Sequence, residues 1–112
     1  MDVRYSELVE ALSRQGWRVV ERERDDLEWW ADEIWTVESE WRPRGFSVYL
    51  TWLVDPMYDG DRQPGQAVWA VGTSVQRPKD RSEAEGKPIL GLNHWPRALA
   101  EFLEGLSRLR GS

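Results

Sequence analysis

His94 is the chain's one histidine, and cysteine is absent. Thiolate nucleophiles, thiolate metal sites and disulfides are therefore excluded. A Ser-His-Asp arrangement needs a base that is oriented by a carboxylate and lies beside a nucleophile. No Gly-x-Ser-x-Gly elbow exists for His94 to serve. His94 reads instead as a cap-region or surface residue at a helix start. A metal site would have to be carboxylate-rich and would suit magnesium, calcium or manganese. Asp55, Asp59 and Asp61 cluster on a turn-rich segment, but they lack the alternating ligands and closing glutamate of a calcium loop. A solvated turn accounts for them. Neither glycine pattern that cradles phosphates is present. The chain is expected to be non-catalytic, with no cofactor and no metal.

The remaining chemistry is charge and aromatic surface. The chain carries 15 basic and 20 acidic residues, a net of −5. Nine of the acids but only two bases, Arg22 and Arg24, lie between Glu21 and Glu40, so that stretch carries −7 and the remainder +2. Tryptophan occurs 8 times, and Trp29 and Trp30 are adjacent within the acidic stretch. Neighbours on an extended segment face opposite sides, so one of the two rings is expected to be exposed. Interface centres favour tryptophan, and surrounding carboxylates steer a basic partner. Asp25, Asp26, Glu28, Trp29, Trp30, Asp32 and Glu33 are therefore the expected partner-binding residues. Nucleic acid is disfavoured by the net charge and by a last helix that begins Asn93-His94-Trp95-Pro96-Arg97, without lysine.

These residues must be positioned by a small fold. The 112 residues and 13.1 kDa suit one α+β domain over 1–112. Tyr5, Leu8, Val9 and Leu12 mark an amphipathic helix, with Asp2 or Ser6 as its cap and Gly16 at its end. Residues 17–23 alternate as an edge strand, and 25–33 read as a turn leading irregularly into the next strand. Trp35, Val37, Ser39 and Trp41 alternate with polar residues, as do Phe46, Val48, Leu50, Trp52 and Val54. A four-residue loop, Arg42-Pro43-Arg44-Gly45, joins them into a hairpin. With Trp41 opposite Phe46, Val37 meets Leu50 and Trp35 meets Trp52. One face is then apolar and the other mostly polar. Residues 55–65 read as a loop, 66–76 as another edge strand, and 77–91 as a long exposed loop. Asn93 is the expected cap of a final helix striped by Trp95, Leu99, Phe102, Leu106 and Leu109.

The expected fold is a single antiparallel meander sheet of three to four strands. An N-terminal and a C-terminal helix pack on its apolar face, in the order α-β-β-β-β-α. Trp35, Trp41, Trp52, Trp69 and Trp95 are expected to fill the core. No leader segment or apolar run of spanning length occurs, which favours the cytoplasm and no membrane association. The function expected is a small acidic interaction module, immunity- or antitoxin-like, binding a basic protein as a monomer or homodimer. The alternative is a small-ligand-binding domain or enzyme with a tryptophan-lined pocket between sheet and helices, hinted at by the inward Ser39.

Overall fold

The fold was obtained as a computed structural model that describes residues 3–111. Helix α1 (Val3–Arg14) is followed by strands β1 (Trp17–Glu23), β2 (Ala31–Ser39), β3 (Ser47–Val54) and β4 (Val68–Ser74). A helical turn, α2 (Arg81–Ala84), then precedes a two-residue strand, β5 (Leu90–Gly91), and helix α3 (Trp95–Arg110). The sheet is an antiparallel meander in the order β1-β2-β3-β4-β5, one strand more than expected. Asp2 lies outside the described residues, and Ser6 sits inside α1 rather than at its cap. The start of α3 carries His94, not Asn93, at the cap position, without a side-chain capping bond.

One face of the sheet holds the main core. Tyr5, Leu8 and Leu12 of α1 and Trp95, Phe102 and Leu106 of α3 close over Trp35, Val37, Val48, Leu50, Trp52 and Val71. Trp52 stacks on Tyr5 at 3.8 Å and lies 5.2 Å from the tilted ring of Trp35. The rings thus pack on one another between the sheet and the helices. The opposite face is not simply polar. Ile34, Leu53 and Ala70 are covered there by Trp30 and by Ala84 of α2, forming a second small core. That cover was not expected, because residues 77–91 read as open loop. Asp80 caps α2 by accepting from the Glu83 amide at 2.9 Å, while Glu83 accepts from the Lys79 amide at 2.8 Å.

The hairpin keeps its expected faces but not its register. Val37 pairs with Val48 and Trp35 with Leu50, two residues away from the expected partners. The last rung is the 2.8 Å bond from the Ser39 amide to the Phe46 carbonyl, so the loop spans six residues, 40–45. Trp41 is therefore not a strand residue. It turns over Gly16, where a Cβ would fall 2.3 Å from its ring, and is 52% exposed. Trp69 also leaves the core, at an irregularity in the β3–β4 pairing, and is 37% exposed. Trp17 is fully buried instead. Strand β1 is an edge, blunted by a bulge at Val20. The β4 edge is covered at Ala70 and Val71 by β5. No helix among the described residues is long and apolar enough to cross a membrane.

Candidate functional site

In an antiparallel hairpin the start of β2 abuts the end of β3, and both neighbouring connections converge there. Residues 24–30 arrive from β1, and residues 55–67 depart from β3. Between them lies a groove of about 600 Å³, with Asp25, Asp26, Glu28, Trp29, Asp32 and Glu33 among its lining residues. Six of the seven residues expected to bind a partner thus surround one concavity. Its opposite wall holds Asp55, Tyr58, Gly60, Arg62 and Pro64.

Trp30 is the seventh. Its ring is buried against Ile34, Leu53 and Ala70. Its carbonyl accepts from the Val54 amide at 2.9 Å. It anchors the 24–30 segment and is not itself a contact surface. Trp29 faces outward, 60% exposed, with the Arg81 guanidinium 5.9 Å from its ring centroid. One ring is out and one in, as expected, but the two residues sit in a turn between Glu28 and Ala31 and not on an extended segment. Asp26 adopts the left-handed region, with φ at 55°, which turns the segment between the groove and a smaller depression beside Arg77 and Lys79. Arg77 donates to Glu23 at 2.9 and 3.1 Å, and this bond holds its guanidinium above the usual arginine value.

Asp32 and Glu33 are not free steering charges. Asp32 accepts from the Tyr5 hydroxyl at 2.7 Å, from the Gly65 amide at 2.9 Å, and from Arg62. Glu33 accepts from Arg22 at 3.0 Å and from the Trp35 indole at 2.8 Å, with Arg24 at 3.8 Å. Both carboxylates are buried, and their charge is met within the fold. The groove's two bases, Arg24 and Arg62, are likewise paired. Asp25, Asp26, Glu28 and Asp55 differ. None has an ion-pair partner among the described residues, and Asp55 only closes a turn through the Met57 amide at 2.8 Å. No group of three or more potential ligands among the described residues is placed to hold a metal.

Asp55, Tyr58 and Arg62 were not among the expected site residues. The hairpin itself carried the signal, because pairing β2 with β3 puts the residues after Val54 beside those before Ile34. Ser39 also proves to have a different role from a pocket residue. It donates to the Trp41 carbonyl at 2.9 Å and accepts from Arg110 at 3.2 Å. No family model, curated protein or solved structure matches the chain.

Proposed function

We propose that this protein is a non-catalytic interaction module whose groove receives an arginine- or lysine-bearing segment of a protein partner. One observation carries the reading. Four carboxylates without an internal counter-charge line the same groove as an exposed tryptophan ring. Carboxylates left unpaired at a concave surface attract a cation, and an indole face adds attraction for it as water is displaced. A groove of this volume falls within the range of sites that hold a whole ligand. The four acids and the ring therefore divide the work. The acids at the rim set encounter, and Trp29 holds what arrives.

That division is testable with an alternating arginine–glycine peptide as probe and stopped-flow fluorescence as readout. Asp25→Lys combined with Asp26→Lys should slow association at low salt. The effect should shrink as salt rises and the screening length falls to about 3 Å near 1 M. Trp29→Ala should instead raise the dissociation rate by about 2 kcal/mol, roughly thirtyfold, with little salt dependence. Unchanged rates in both variants, with melting temperatures kept, would leave the acidic stretch as a solvated face only.

A further inference from the structure

The charge left over after internal pairing is unevenly divided along the molecule, although among the described residues Glu38 and Glu40 stay without an ion pair at the loop end and Lys79 at the groove end. The groove lies where β2 begins and β3 ends. The 40–45 loop lies where β2 ends and β3 begins. Nine residues of β2 separate them, roughly 25–30 Å at the usual strand rise. At that far end Arg42 and Arg44 flank Pro43, and residues 41–45 are all exposed. Neither arginine has an ion pair or side-chain hydrogen bond among the described residues. The six-residue loop, longer than the register expected from sequence would leave, projects beyond the last rung of the hairpin. Helices α1 and α3 also end there, and Gly16 and Gly111 follow their last turns.

We infer that the groove's occupant is the Arg42-Pro43-Arg44 loop of a second copy of this chain, bound head to tail. This rests on the reading of the groove as a site for a basic segment, and it names the segment. Charge complementarity argues for it: the groove presents Asp25, Asp26, Glu28 and Asp55, and the loop's tip presents two unpaired guanidinium groups, with the Glu40 carboxylate at the loop's first residue leaving the segment a net +1. The fold shows the affinity of its own arginines for indole faces. Arg22 lies 4.7 Å from the Trp35 ring, and Arg110 lies between Trp17 and Trp41 at 4.5 and 4.9 Å. Trp29, 60% exposed although the Arg81 guanidinium stands 5.9 Å from its ring centroid, offers the same kind of face in the groove. Because loop and groove are different surfaces at opposite ends, the contact is heterologous. Each added copy leaves one groove and one loop free. A loop in a groove buries less than the ~1,200 Å² of a stable interface, so the association is weak and salt-sensitive.

Sedimentation of the full chain from micromolar to millimolar concentration tests this. At low salt the average mass should climb above 13.1 kDa with concentration, and high salt should return it to that value. Arg42→Ala with Arg44→Ala keeps the groove and loses the loop's charge. Asp25→Lys with Asp26→Lys keeps the loop and reverses the groove. Each double variant alone should remain monomeric. Their equimolar mixture should form a species of twice the monomer mass and nothing larger, since one competent groove and one competent loop remain between them. Wild-type protein that stays monomeric throughout, variants that still assemble alone, or a mixture that does not pair would each overturn the inference. Monomeric protein that still binds the arginine–glycine peptide loses the second copy as occupant and retains the groove. Protein that does neither loses both. Variants melting at the parent temperature keep the comparison free of unfolding.

Discussion

Trp52 lies between the Tyr5 and Trp95 rings, with centroids 3.8 and 6.5 Å away, and is fully buried. Emptying such a site removes the ring's transfer energy and leaves a cavity that the sheet cannot close. Trp52→Ala should therefore cost about 3–5 kcal/mol in chemical denaturation. Trp30→Ala should cost nearly as much, about 3 kcal/mol, because it uncovers Ile34, Leu53 and Ala70 together. Trp29→Ala, one residue earlier, should change stability by less than about 0.5 kcal/mol. A tryptophan at 29 that proved as costly as one at 30 would mean the segment lies differently on the sheet. The sequence pointed to these two rings parting company on the ground that neighbours on extended backbone diverge; in the structure they part at the centre of a turn that the Ala31 amide closes on the Glu28 carbonyl at 3.1 Å. Which ring turned inward depended on Ala84, which lies more than fifty residues away. No local pattern contains that contact.

The elements show the same division between what is local and what is not. Alternation assigned each hairpin residue to its face, and those assignments follow from the pleat alone. Register needs the end of the hairpin, and here the end is set from outside it. The Glu40 amide donates to the Gly16 carbonyl at 2.7 Å instead of continuing the ladder, so Trp41 is drawn over Gly16, just past the end of α1. Trp41 and Phe46 still alternate with their neighbours, which is why pattern alone carried the first strand two residues too far and began the second one residue early. The groove's far wall is also held non-locally. Asp32 gathers the Arg62 guanidinium and the Gly65 amide from the 55–67 loop, and the Tyr5 hydroxyl from α1. Asp32→Ala removes the acceptor the three donors share, although the Arg62 guanidinium keeps the Gln63 and Gln66 carbonyls at 3.3 and 3.2 Å. The substitution should cost about 3 kcal/mol, the lower end for a broken buried pair, because Arg62 retains those carbonyls and some contact with water. Amide hydrogen exchange at Gly65 should accelerate well beyond the change in global stability. Unaltered protection at Gly65 would show that the turn bonds, not this carboxylate, hold the wall.

At the scale of the whole molecule, the last helical residue closes the fold onto the first helix. Arg110 donates to the Gln15 carbonyl at 3.1 Å, and to the Gly16 carbonyl and Ser39 hydroxyl at 3.2 Å. Its guanidinium lies between the Trp17 and Trp41 rings, with no carboxylate among these partners. Burial holds the group below the usual arginine value. A base with a lowered folded pKa opposes folding in full at every pH below that value. The opposition is relieved only as pH climbs into the arginine range. This cost is therefore constant across the neutral range and gives stability no pH dependence there. Two effects compete when Arg110 becomes methionine. The desolvation cost disappears, which stabilises, while three charge-assisted bonds and two ring contacts are lost. Such bonds contribute about 1.5–3 kcal/mol each when the charged group is fully desolvated. The Gly16 carbonyl keeps its bond from Glu40, and the Ser39 hydroxyl keeps its bond to Trp41, so only the Gln15 carbonyl is left bare. The bonds win, by a reduced margin: Arg110→Met should destabilise by about 1–3 kcal/mol in denaturant titration. Arg110→Lys should recover little of it. An ammonium on a flexible stem keeps the desolvation cost, yet it can neither span the three acceptors nor lie flat between two indoles. A lysine variant as stable as the parent would show that charge alone, and not the planar fork, joins the two ends of the chain.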